Sequence, residues 1–185
     1  FENCQKIEVI DCTNQQGVKT GTSSSTEFDV TNQTRLRTLR LGGTKVQGIV
    51  LADGAPVEDL VLPETLTTLK LRYLPLLDMS HLNIQGYDNV TTMIFASCPN
   101  LDWQELLSRC PNVTRLRIEG VNITDDGSFL EKYKHFKGVD AEGNAVSTCQ
   151  LIGDIYLTAY IADEQYDQYK AIYPNLNIHQ PDYTT

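Results

Sequence analysis

The chain has 185 residues, 41% of them hydrophobic, with 15 Lys and Arg against 24 Asp and Glu, for a formal net charge of −9. This length makes one domain, or a short stack of repeats with a cap, and no apolar run is long enough to span a bilayer. An acidic chain with no Lys/Arg cluster lacks the positive patches that nucleic acids and anionic membranes require, which excludes both as partners.

Read from the N-terminus, one phrase keeps returning: apolar-x-x-apolar-x-apolar. It is carried by Leu36, Leu39 and Leu41, by Val57, Leu60 and Leu62, by Leu66, Leu69 and Leu71, by Val90, Met93 and Phe95, and by Val113, Leu116 and Ile118. Cys4, Ile7 and Val9 make a sixth copy. The last two apolar positions of each phrase are two apart, so they point to the same side of a short strand. Recurrence of such a phrase is the mark of a stacked repeat, in which each unit buries its apolar edge against its neighbours.

The spacing of the phrases is uneven. The Gly/Ser/Thr stretch from Gly17 to Thr26 reads as a mobile loop or strand edge. Between Leu41 and Leu69 the units are compressed. Ile49-x-Leu51 and Leu60-x-Leu62 predict strands on both sides of a thin coil, turned by Gly42-Gly43, Asp53-Gly54 and Pro63-Glu64.

Helices are expected further along. Asp102 to Glu105 has capping-box form and opens a helix that ends at Cys110-Pro111. Ser128 opens a second short helix that carries Phe129, Leu130 and Tyr133 inward and breaks at Gly138, with Asp140 to Asn144 as a turn. The remainder reads strand, helix, strand: Ile152 to Tyr160, then Asp163 to Tyr173 stopped by Pro174, then Leu176-x-Ile178. This piece abandons the repeat phrase, as a capping unit should. The chain starts Phe1-Glu2-Asn3 and ends in a polar tail, ends that read as cut from a longer or processed protein.

Residues able to carry chemistry are few. Five cysteines, an odd number, argue against a closed disulfide framework. His81, His135 and His179 are far apart, and none lies four residues from another His or a Cys, so no zinc site is assigned. There is no Gly-x-Ser-x-Gly elbow and no Gly-rich phosphate loop. Asp140 to Asn144 lacks the spacing of a calcium loop, and Asp125-Asp126 reads as compensation of a helix dipole. Asn32, Asn89, Asn112 and Asn122 each open an Asn-x-Thr pattern, as chance matches in Asn/Thr-rich turns would. Tyr166, Tyr169 and Tyr173 share a helix face, and Tyr156 and Tyr160 one side of a strand; core packing is the first reading of both sets. A hydrolase would need two carboxylates or a Cys–His pair to converge in a cleft.

Cys110-Pro-Asn-Val-Thr-Arg-Leu-Arg-Ile-Glu-Gly-Val-Asn-Ile-Thr resembles the Cys-Pro-Asn-Leu repeat of cysteine-containing leucine-rich-repeat proteins. As a whole the chain more closely resembles the leucine-rich-repeat-like modules of large bacteriophage virion proteins (tail-tip, knob or fibre components), with related modules in bacterial surface proteins. The carrying residues are Leu39 to Val46, Leu60 to Leu71, Val113 to Gly120, Lys137 to Asn144, and Tyr173 to Ile178. In leucine-rich repeats, the slot three residues after the last apolar position holds Asn or Cys, which ties the loop down from inside. Cys12 and Cys98 stand in that slot, which implies buried structural thiols.

The expected fold is therefore α/β: an irregular, β-rich leucine-rich-repeat-like solenoid over residues 1–145, with a strand-helix-strand cap over 146–185. Leu39, Leu41, Leu60, Leu62, Leu69, Leu71, Met93, Phe95, Leu116, Ile118, Cys12 and Cys98 are its repeat residues. No catalytic, cofactor or metal residue is expected. The resemblance implies a non-enzymatic structural or host-recognition module of a phage virion, with other virion proteins, copies of itself, or a host-surface protein or glycan as partners, and no nucleic acid or membrane insertion. The alternative is an adhesin fragment at a bacterial cell surface.

Overall fold

The computed structural model describes residues 6–20, 27–123 and 152–182. They form an α/β structure of short parallel strands with few helices, divided into two compact units, Phe1–Asn112 and Val113–Thr185. The boundary expected near residue 145 lies outside the described residues. So do Cys4, the Ser128 helix, His135, the Asp140 turn and Cys149.

In the first unit the chain goes alternately to two sets of strands. β1 (Val9–Asp11), β3 (Thr38–Arg40), β5 (Asp59–Leu62) and β7 (Leu82–Ile84) form one parallel sheet in that order. β2 (Phe28–Val30) pairs with β4 (Ile49–Leu51), and β6 (Thr68–Arg72) pairs with β8 (Thr92–Ala96), again parallel. The register aligns the apolar residues from strand to strand: Ile10 with Leu39, Leu39 with Leu60, Leu60 with Leu82. On the other side Leu69 meets Met93 and Leu71 meets Phe95. All of these are buried, and together with Leu36, Val57, Leu66 and Val90 they make up the core. Full burial of each such side chain contributes roughly 1.5–3 kcal/mol.

This register corrects the sixth copy of the phrase. Ile10 occupies the position of Leu39, so Val9 faces solvent at 61% exposure. Cys12, two residues on, then stands where Leu41 stands in the next turn of chain, its N–H bonded to Arg40 O at 2.8 Å. It is half-buried, an apolar-position residue and not a loop anchor. The strand-edge reading of the first loop holds at Lys19, which bridges Lys45.

Asparagines do the tying. Asn89, Asn100 and Asn112 each donate through Nδ2 to a backbone carbonyl one turn of chain back, that of Glu64, Pro75 and Asp88, at 2.7–2.9 Å. Thr67 and Thr91 donate in the same way to Gln47 O and Thr67 O. α1 (Trp103–Arg109) follows the second pair of strands. Asp102 caps it, accepting from the N–H groups of Gln104 and Glu105, while Glu105 turns to an ion pair with Arg109 and leaves the capping box half made.

In the second unit β9 (Arg115–Val121), β10 (Ile152–Leu157) and β11 (Leu176–His179) are parallel neighbours in that order. α2 (Asp163–Ile172) connects β10 to β11, with Asp163 and Glu164 in its first turn and Tyr169 and Tyr173 fully buried. Lys170 Nζ donates to Leu176 O at 3.0 Å and so engages the chain leaving the helix. β10 stops short of Tyr160, which is 60% exposed instead of packed in the core.

Gly153 is where the second sheet is least forgiving. Its φ is +139°, and a Cβ there would lie 1.7 Å from Leu116 O on the neighbouring strand. Gly153→Ala is therefore expected to lower stability by about 2–4 kcal/mol in urea unfolding. A loss below about 0.5 kcal/mol would show that β9 and β10 do not approach as described.

Candidate functional site

Eleven of the twelve repeat residues are buried, and the twelfth, Cys12, is half-buried. Leu39, Leu41, Leu60, Leu62, Leu69, Leu71, Met93, Phe95, Leu116, Ile118 and Cys98 are buried, and none reaches a surface cleft. Cys98 Sγ donates to Ala96 O at 3.4 Å, and burial raises its pKa to about 11; burial likewise raises that of Cys110 to about 12. Thiols so held stay protonated at neutral pH and are poor nucleophiles.

Two of the three histidines do meet acids. His81 Nδ1 lies 2.9 Å from Asp78 Oδ1, and the Ser80 hydroxyl donates to that same oxygen at 2.6 Å. Ser80 Oγ also lies 3.0 Å from His81 Nδ1. The three residue types of a hydrolytic triad are thus together, but their connectivity is wrong. A triad has the acid on one ring nitrogen and the hydroxyl on the other. Here one nitrogen faces both, and the serine proton goes to the acid. This is an exposed turn that satisfies itself.

The same turn recurs. Asp11 Oδ1 accepts from the N–H and hydroxyl of Thr13, and Asp29 Oδ1 from those of Thr31. These bonds favour the charged form and hold all three carboxyls below the ordinary range, Asp78 at about 2.

The outward face of the second unit's sheet carries a lattice of polar and aromatic side chains. Arg117, Asp154 and Asn177 form one row by register; Glu119, Tyr156 and His179 form the next. His179 Nε2 lies 2.8 Å from Asp154 Oδ1, and its ring stacks on Tyr156 with centroids 4.2 Å apart. Arg117 pairs with Glu119 at 2.6 Å and lies over the Tyr156 ring. The hydrogen bond from His179 is the chief cause that lowers the Asp154 pKa. Its charges are matched internally.

The first unit offers a concavity. β4 and β6 are joined at Gly48↔Thr68, and Gly54 N–H reaches Tyr73 O at 2.9 Å, but no ladder pairs the strands in between. Where they part, a cleft of about 270 Å³ opens, lined by Thr31, Val50, Leu51, Ala52, Asp53, Lys70 and Arg72. Lys70 and Arg72 are two apart on β6 and so share its outer face. Lys70 Nζ meets Glu27 only at 4.0 Å, and among the described residues Arg72 has no carboxylate within ion-pair distance. The Arg72 guanidinium lies 5.2 Å from the centroid of the Tyr73 ring. Tyr73 itself has φ +51°, an uncommon conformation for a bulky residue. The corresponding corner of the next turn of chain, one residue past the Arg72↔Ala96 pair, is filled by Ser97.

Sequence reasoning passed over this cleft, because Lys70-x-Arg72 is an ordinary pair of outward strand positions. Only the parting of the two strands turns it into a site. Asp78-x-Ser80 and its two counterparts could have been found, since Asp-x-Ser/Thr is a turn signal in its own right.

Among the described residues there is no group of three His, Cys, Asp or Glu able to hold a metal ion, and no helix long and apolar enough to cross a membrane. Comparison with protein-family models, curated proteins and solved structures finds no match to the chain.

Two predictions follow from these groups. A carboxyl whose pKa is depressed on folding stabilises the fold above its unfolded value near 3.9, and that stabilisation is lost as pH falls through the folded value. For Asp78 the window is about pH 4 down to about 2. Asp78→Asn should lower stability at pH 7 and do so progressively less toward pH 2, which flattens acid unfolding in that window; an unchanged acid limb would contradict the turn. Native protein should also leave Cys98 and Cys110 unalkylated by iodoacetamide until denaturant exposes them, as read by mass spectrometry; labelling at the native rate of an exposed thiol would contradict their burial.

Proposed function

We propose that the chain is a non-enzymatic module of a bacteriophage virion, an irregular leucine-rich-repeat-like solenoid serving as a structural spacer or host-surface contact in a tail tip, knob or fibre. The observation that carries this reading is the nearest-neighbour character of the first unit. Its strand ladders and its Asn and Thr side chains reach one turn of chain away. Such a stack makes a stiff scaffold whose outward faces are free to vary without disturbing the core. The self-satisfied Ser80–His81–Asp78 turn and the protonated buried thiols support a role in contact over one in catalysis. Of the partners open to it, a host-surface ligand is favoured by the cleft between β4 and β6, which sets the cations Lys70 and Arg72 beside the acceptors Asp53 and Thr31.

Mass spectrometry of virions purified from a lysate that produces the chain tests this directly. Its peptides, such as one ending at Lys170, are expected to copurify with intact particles through a density gradient. Their confinement to the particle-free fraction would overturn the proposal.

A further inference from the structure

We propose that the cleft between β4 and β6 is a subsite for one acidic sugar unit, whose carboxylate is held by Lys70 and Arg72. This rests on the host-contact reading and names its ligand class.

The cleft combines two kinds of partner. Lys70 and Arg72 supply cationic donors. Asp53 supplies a carboxylate acceptor, and Thr31, whose hydroxyl proton is donated to Asp29 Oδ1, presents its remaining oxygen lone pairs as an acceptor. A ligand that fits must bring an anion and hydroxyl donors together within about 270 Å³. A sugar carboxylate of the uronic or sialic type does so. The side chain of an acidic peptide brings a carboxylate with no hydroxyl beside it. An extended polyanion is opposed by the net charge of −9.

Tyr73 is the positioning residue. A tyrosine at φ +51° costs free energy that Gly would not, since its Cβ crowds the backbone there. What the ring provides is a surface for the Arg72 guanidinium, which it holds at the mouth of the cleft by cation–π attraction. Strain kept at a site of this kind is the pattern of a functional position.

The test uses the full chain and titration calorimetry or ligand-observed NMR, with glucuronate and N-acetylneuraminate as probes and glucose, inorganic phosphate and a Glu-containing tripeptide as comparisons. Binding of one or both acidic sugars is expected, at least about tenfold tighter than any comparison and weakening as salt rises. Arg72→Gln and Lys70→Gln should each lower affinity about tenfold with far-UV circular dichroism unchanged. Tyr73→Gly should raise the melting temperature yet weaken binding, and Tyr73→Phe should restore affinity. Equal affinity for glucose, tighter binding of phosphate or the tripeptide, or no binding of either sugar at about 20 mM would each overturn the proposal. If Arg72→Gln unfolds, Lys70→Gln alone decides. A virion that carries the chain while the sugars fail to bind would reject the subsite and leave the virion reading standing.

Discussion

The constraint on which the first unit depends is the parallel register that lays each turn of chain on the one before it. Ile10, Leu39, Leu60 and Leu82 lie on one line across β1, β3, β5 and β7. Parallel strands stand about 4.8 Å apart, so aligned side chains are forced into contact and must be apolar together. The same line fixes which residues face out, because a shift of one residue would turn every side chain over. The exposed ion pairs Arg40–Asp59 and Arg37–Glu58 follow the same register and, screened by solvent, add little.

The corners obey a second demand, that backbone groups leaving a strand find partners. Asp11 and Asp29 meet it within their own turns, and Asn89, Asn100 and Asn112 meet it by reaching back one turn of chain. Where β4 and β6 part the demand is relaxed, and that gap is where Lys70 and Arg72 come to line a cleft. Tyr73, whose ring lies under the Arg72 guanidinium, sits in a conformation that Ser97 takes in the neighbouring corner with far less bulk. Local sequence and local backbone disagree at this one corner, and such disagreement is expected where a residue is kept for contact instead of packing.

Much of the first unit was legible in the repeat phrase. The pair two apart in Leu39 and Leu41, in Leu60 and Leu62, and in Leu69 and Leu71 marked inward strand positions, all of them fully buried. The uneven spacing was not legible as order, because it mixes two series. The phrases at Leu60 and Leu69 belong to different sheets, and from Leu39 onward the interval within each sheet is close to regular. Alternation alone cannot say which of two sheets a short strand joins. Val9 misled for a similar reason: Ile7, Val9 and Ile10 permit two registers, and pairing with Leu39 selects Ile10. The second unit's strand-helix-strand order was legible from Ile152 onward. Its outward lattice was not, since Arg117, Asp154 and His179 meet only through the register of three strands.

Cross-strand nuclear Overhauser effects between backbone amide and Hα protons test the two-series register most directly. The register requires them between the Leu39 and Leu60 strands, between the Leu60 and Leu82 strands, and between the Leu69 and Met93 strands. A ladder joining Leu60 to Leu69 instead, as successive phrases in single file would form, would contradict the fold and remove the cleft with it.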